Sequence, residues 1–170
     1  MIADSLAGKR IAVTGSTGFL GTALVEKLLR SVPDCELVLL VRPTRRYSVE
    51  RRVNREILRN DAFNLLRAQW GPEFEQRCEK RIQVVSGDVS QDNLGLSDAD
   101  NETFTSCDVI IHSAATVSFD NPLDTSIEIN LLGPNRIIEA LHATNRTPHL
   151  VSVSTCYVAG NRRGDAREEF

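Results

Sequence analysis

The chain has 170 residues, 41% of them hydrophobic and 25% charged, with a formal net charge of −3. That balance fits one globular domain with a sizeable core. No apolar run is long enough to span a bilayer and the N-terminus lacks a basic-plus-apolar leader, so a cytoplasmic protein is expected. Cys35, Cys78, Cys107 and Cys156 are scattered with no Cys-x-x-Cys pair, which argues for reduced thiols and against a metal site.

Arg10–Thr14, centred on Ile11-Ala12-Val13, predicts a first buried strand. Gly15-Ser16-Thr17-Gly18-Phe19-Leu20-Gly21 follows, a Gly-x-x-Gly-x-x-Gly turn between that strand and an amphipathic helix. Gly15 permits the tight turn, Gly18 lets the backbone approach a pyrophosphate, and Gly21 lets the helix pack hard on the strand. The unpaired N–H groups of the helix N-terminus then face the phosphates. The strand–loop–helix context implies a bound dinucleotide. Leu20, Leu24 and Leu28, with Ala23, form the expected buried stripe of the helix, which Pro33 ends. Glu36–Arg42 reads as a fully buried second strand stopped by Pro43.

A helical insertion is expected over about 44–80. Ser48 is its N-cap, Val49, Val53 and Ile57 recur at helical spacing, and Gly71-Pro72 breaks it before a short helix over 73–80. Residues 42–81 hold eleven Lys/Arg against six Asp/Glu. Such a segment either attracts nucleic acid, an acidic membrane surface or a phosphorylated ligand, or is a solvated helix face laced with ion pairs. The arginines interleave with Val49, Val53 and Ile57 and not with aromatic residues, so nucleic acid is not the expected partner.

Arg81–Ser86 predicts the third strand, Ser97-x-x-Asp100 a helix start, and Asp108–His112 the fourth strand. A helix over 121–143 is expected to carry Ile127, Leu131, Ile138 and Leu141 on one side, and Leu150–Thr155 is the fifth strand. Alternating strands and helices imply an α/β, doubly wound parallel sheet of Rossmann type in the order 3-2-1-4-5, with ligand beyond the strand C-termini.

Dinucleotide readers of the NAD type place a carboxylate at the end of the second strand. Here that position reads Val41-Arg42-Pro43-Thr44-Arg45-Arg46. Guanidinium groups match a 2′-phosphate, so NADP(H) is the expected cofactor, held by Arg42 with Arg45 or Arg46 in support. Asp88 is placed to accept from the adenine amino group and Val89 to pack on the ring; Asp88 is also a common turn residue. Ser113, Ala114 and Ala115 let the backbone approach the cofactor. His112, beside a buried strand, reads as structural before it reads as catalytic.

These residues carry a specific resemblance. Thr14–Gly21, Leu40-Val41-Arg42-Pro43, Gly87-Asp88-Val89, Asn93–Ser97, His112-Ser113-Ala114-Ala115-Thr116-Val117-Ser118-Phe119, Glu128-Ile129-Asn130-Leu131-Leu132-Gly133 and Val153–Val158 occur in order. The set resembles fatty acyl-CoA reductases and thioester reductase domains, within the extended short-chain reductases, over nearly the whole chain. The resemblance implies NADPH-dependent reduction of an acyl thioester, on fatty acyl-CoA or an acyl carrier protein, to an aldehyde or alcohol. It implies a catalytic hydroxyl at Thr155 or Ser154, and Asn130 among the residues that organise the site. A peripheral membrane contact is compatible with such a substrate, although no residue stands out as an anchor.

Two features depart from that family pattern. No Tyr-x-x-x-Lys occurs: Tyr157 is followed four residues on by Asn161, and Tyr47 by Arg51. Residues 1–170 are therefore expected to be the N-terminal, NADP-binding part of a reductase, without its substrate-binding part and inactive alone. A non-catalytic NADP-binding sensor is the competing reading. Gly133-Pro134, in place of Gly and a small hydroxyl residue, predicts a kink just after Asn130.

Overall fold

A computed structural model of the chain describes residues 2–167. After a short helix α1 (Ile2–Leu6), five parallel strands build one sheet: β1 (Arg10–Thr14), β2 (Glu36–Val41), β3 (Ile82–Ser86), β4 (Val109–His112) and β5 (His149–Ser152). Their order is β3-β2-β1-β4-β5, as the sequence predicts. Thr14 lies level with Leu40 on one side and His112 on the other. The loops leaving β1, β2 and β4 therefore open at one edge, where ligands of such sheets bind.

Period-two alternation sends strand residues to two cores. Ile11, Val13, Leu37, Leu39 and Val41 meet α2 (Phe19–Ser31) and the insertion. Ala12, Val38, Leu40, Val85 and Ile110 meet α6 (Asp98–Thr105) and α8 (Leu132–Ala143). The insertion comprises α3 (Val49–Arg52), which runs on as a π-helical stretch Val53–Leu58, then α4 (Asn64–Trp70) and α5 (Phe74–Arg81). The Ser48 hydroxyl caps it, accepting from the Arg51 N–H at 3.3 Å. Val49, Val53 and Ile57 are buried, and Phe63 meets Phe74 edge-on at 6.3 Å. Each such large side chain contributes about 1.5–3 kcal/mol by burial.

Three local expectations are corrected. In α2 the buried face is Gly21, Thr22, Val25, Leu28 and Leu29, while Leu20 is exposed and Leu24 half-buried. Gly21 lies against the Gly15 carbonyl, and a Cβ on it would stand 2.7 Å from Ser16 Cα. That contact fixes the helix rotation, so the residues four, seven and eight positions on turn inward and Leu20 turns out.

Between β4 and β5, α7 (Leu123–Ser126) leads through a π-helical stretch, Ile127–Leu131, into α8. The buried side of α8 is Gly133, Ile137, Ala140 and Leu141; Ile127, Leu131 and Ile138 are exposed. The wider π turn slips the 3.6-residue register, and Gly133, packed on Val89, sets the inward face. The same stretch answers the kink expectation, because a turn widened by one residue accommodates a proline without an N–H, and the helix continues to Ala143.

Finally, β5 ends at Ser152, so Ser154 and Thr155 lie beyond it. Thr155 caps a single 3-10 turn, Cys156–Ala159, its hydroxyl accepting from the Tyr157 N–H at 3.4 Å.

Candidate functional site

The loop after β1 is shaped by steric necessity. Gly15 has φ +70°, and a Cβ there would meet Ala114 N at 2.6 Å and Ser113 O at 2.7 Å. Gly18 precedes α2 as its cap, gives its N–H to Gly15 O at 2.9 Å, and supplies no side-chain hydrogen bond to the helix. The first-turn N–H groups of a 13-residue helix thus open onto the loop. Ser16 is 1% exposed, and its hydroxyl has no partner among the described residues.

A cleft of about 460 Å³ opens over this loop. It is lined by Gly15, Thr17 and Gly18, by Arg42 at the end of β2, by Asp88 and Val89 after β3, and by Ser113, Ala114 and Ala115 after β4. The strand ends thus bring these sequence-predicted residues together. Ser16, Phe19, Leu20, Gly21, Arg45 and Asn130 do not line the cleft: Phe19 projects outward at 98% exposure, Gly21 faces Gly15, and Arg45 is exposed.

The wall after β4 is held by hydrogen bonds. Ser113 Oγ donates to Thr14 O at 2.8 Å, and the Ala114 N–H donates to Thr14 Oγ1 at 3.2 Å. Thr14 Oγ1 also shares a hydrogen bond with His112 Nδ1, 2.7 Å away. His112 is 3% exposed, and burial lowers its pKa from the ordinary value. It ties β1 to β4 as a structural residue. Asn130 clamps Thr116, its Oδ1 accepting from the Thr116 N–H at 2.8 Å and its Nδ2 donating to Thr116 O at 2.9 Å. It shapes the loop instead of lining the cleft, and nothing in a sequence marks a partner fourteen residues away.

Sequence reasoning misses Arg52, which lines the cleft beside Arg42. Its Nε and NH2 donate to both carboxylate oxygens of Glu56, at 3.0 and 2.6 Å, and its NH1 donates to Arg42 O at 2.6 Å. The Arg52–Glu56 pair at i,i+4 is the signal available beforehand. Asp88 Oδ1 accepts from Ser90 N–H and Oγ at 3.0 and 2.8 Å, so one carboxylate oxygen closes its own turn. Burial pushes the Cys78 and Cys107 thiols up to about 11, which leaves them unreactive. Among the described residues no cluster suits a metal ion, and no helix is long and apolar enough to cross a membrane.

Residues 13–170 match the NAD-binding family described as "Male sterility protein". The chain belongs to that family. It is 33% identical over 170 residues to fatty acyl-CoA reductase 2, chloroplastic, of Arabidopsis thaliana, covering 99% of this chain and 28% of that one. It is 34% identical to the alcohol-forming fatty acyl-CoA reductase of Simmondsia chinensis, covering 96% and 34%. Among solved structures, the terminal R domain of the myxalamid PKS-NRPS pathway superposes with a TM-score of 0.69 at 31% identity, covering 89% of this chain and 36% of that chain. The chain thus spans about a third of the length of these relatives.

Membership of the male sterility family gives the chain a Rossmann fold of the extended short-chain type, with a site for a nicotinamide dinucleotide. The residues present fit that group. The glycine cradle leaves room for a pyrophosphate against open helix N–H groups, Ser16 Oγ is an orphaned buried hydroxyl in the same loop, and guanidiniums stand at the end of the cleft.

Proposed function

We propose that this chain is the cofactor-binding part of an NADPH-dependent reductase that converts a fatty acyl thioester, presented as acyl-CoA, to an aldehyde or alcohol. The observation that carries the cofactor choice is the pairing of Arg42 and Arg52 in the cleft, with no carboxylate at the end of β2. Two guanidiniums suit a 2′-phosphate. The nucleotide supplies a hydride, which with one proton takes an acyl thioester to an aldehyde and a free thiol.

The residues of this chain act around that transfer. Gly15 to Gly18 hold the pyrophosphate, Asp88 and Val89 meet the adenine, and Ser113 to Ala115 let the backbone lie close to the nicotinamide half. Thr155, or Ser154 next to it, presents a hydroxyl that polarises the thioester carbonyl. Thr155 Oγ1 already accepts from Tyr157, which leaves its hydrogen to donate. Asn130 keeps the wall in register through Thr116. A carrier-bound acyl group is the second reading of the substrate, favoured by the likeness to a terminal R domain.

Titration of the chain with NADPH and NADH tests the cofactor reading. NADPH is expected to bind at least about tenfold tighter, and Arg42→Ala to remove most of that preference, as the loss of a charged hydrogen bond would. Equal loss for both nucleotides refutes the 2′-phosphate assignment. Reading the source transcript past the codon for Phe170 tests the reductase reading: a frame reaching Tyr-x-x-x-Lys supports it, and a frame without that pair moves the choice to an NADP-binding sensor.

A further inference from the structure

The insertion carries a second feature that nucleotide binding does not use. Arg46, Arg51 and Arg55 place their guanidinium carbons 5.3, 4.9 and 5.2 Å from the centroid of one ring, that of Tyr47. Arg55 NH1 also donates to the Tyr47 hydroxyl at 2.7 Å. Arg45 and Arg59 are exposed on the same segment. Among the described residues none of these five arginines forms an ion pair, whereas neighbouring Arg52 is paired with Glu56. Glu50, the other carboxylate of α3 and its continuation, lines a separate cleft beside β3 together with Glu75 and Glu79. The ring faces offset part of the mutual repulsion of three guanidiniums, and the remaining positive field points to solvent.

We propose that this arginine face docks on an anionic lipid surface. Its shape argues against a small ligand, since none of the five arginines lines either cleft. Nucleic acid is disfavoured because the one aromatic ring in the patch is already ringed by guanidiniums and is not free to stack on bases. The face also lies on the wrong side for a carrier protein. It follows β2, whereas Thr155 follows β5, three strand spacings or about 14 Å across the sheet. A thioester delivered from the arginine side would have to cross the cofactor cleft. A lipid surface at this end leaves the β5 end open. The preference for lipid over an acidic protein rests on the proposed fatty substrate, which partitions into bilayers.

Co-sedimentation of the chain with phosphatidylcholine vesicles, with and without roughly one-third phosphatidylserine, tests the proposal. Binding is expected to the anionic vesicles only, at about 0.05 M salt, and to be lost at about 0.5 M. The triple variant Arg51→Gln/Arg55→Gln/Arg59→Gln is expected to bind roughly a hundredfold more weakly, about fivefold for each arginine, and the matching triple Lys variant to bind as the wild type does. NADPH affinity, measured on the same preparations, is expected to stay within about twofold, since none of the three lines the nucleotide cleft. Absence of anionic-vesicle binding, equal binding to neutral vesicles, wild-type binding by the Gln variant, or retention on duplex DNA in place of vesicles overturns the proposal. Vesicle failure with the NADPH preference intact overturns this inference alone; loss of that preference overturns the cofactor reading instead.

Discussion

β2 and β5 flank the central pair β1 and β4 from opposite sides, and they are built differently. Every residue of β2 from Leu37 to Val41 is buried, between α2 and the insertion on one face and α6 on the other. In β5 only Leu150 is part-buried; Val151 is 39% exposed, and Val153 just beyond the strand 41%. The wall beside β5 is fastened by polar contacts, with Asn130 and Asn121 bonded to Thr116 and Phe119 meeting Tyr157 edge-on at 6.3 Å. Among the described residues the β2 side is therefore set by a dry core, and the β5 side by a few exposed hydrogen bonds. Regions with few buried apolar contacts open at lower free energy than packed ones. Within residues 2–167 the β2 end is the more densely packed of the two.

The sharpest way to break that comparison is a matched pair of truncations. Leu39→Ala removes a fully buried side chain and is expected to cost about 2–5 kcal/mol. Val151→Ala sits at the matching place on the other side and is expected to cost less than about 0.5 kcal/mol. Urea unfolding of both variants reads the difference. A cost for Val151→Ala near that of Leu39→Ala would show that the β5 end is packed as firmly as the β2 end.

The same contrast explains what the sequence disclosed. The strand–glycine–helix unit is legible because three signals coincide within fifteen residues: an apolar run, the glycine spacing and a helical pattern. Strand order follows from the alternation of elements. The rotation of α2 is not legible, because it depends on Gly21 meeting the Gly15 carbonyl and not on where the leucines fall. The inward face of α8 escapes for a related reason, since a π-helical stretch changes the period halfway along. Arg52 is hidden among many arginines, and only the fold shows that it alone of its segment joins Arg42 in the cleft. The grip of Asn130 on Thr116 exists only once the chain has folded back.

A smaller effect sharpens the picture of the β2 end. Glu56 holds the Arg52 guanidinium by two hydrogen bonds, so Arg52 can present its remaining N–H groups in one orientation. Glu56→Gln keeps the size and removes the charge. The pair is partly exposed, so the effect is modest: NADPH affinity is expected to fall about three- to tenfold and NADH affinity to change little. A merely structural role for Glu56 would lower both affinities alike, and parallel titrations tell the two apart.

The finest test concerns the seam between the two halves. His112 Nδ1 and Thr14 Oγ1 share a hydrogen bond across β4 and β1, and Thr14 Oγ1 also accepts from the Ala114 N–H. Burial favours the neutral form and lowers the pKa below the ordinary value. As pH falls through about 6.5, the unfolded chain takes up the proton first. The stability contributed by neutral His112 is therefore complete above about pH 6.5, declines below it, and levels off once the folded protein also binds the proton. The slope in that window is at most about 1.4 kcal/mol per pH unit for one group. His112→Gln is expected to lower stability at neutral pH and to flatten the curve below about pH 6.5 relative to the wild type. Parallel curves for the two proteins would mean that the seam does not sense the proton, and that the two halves of the sheet are joined by packing alone.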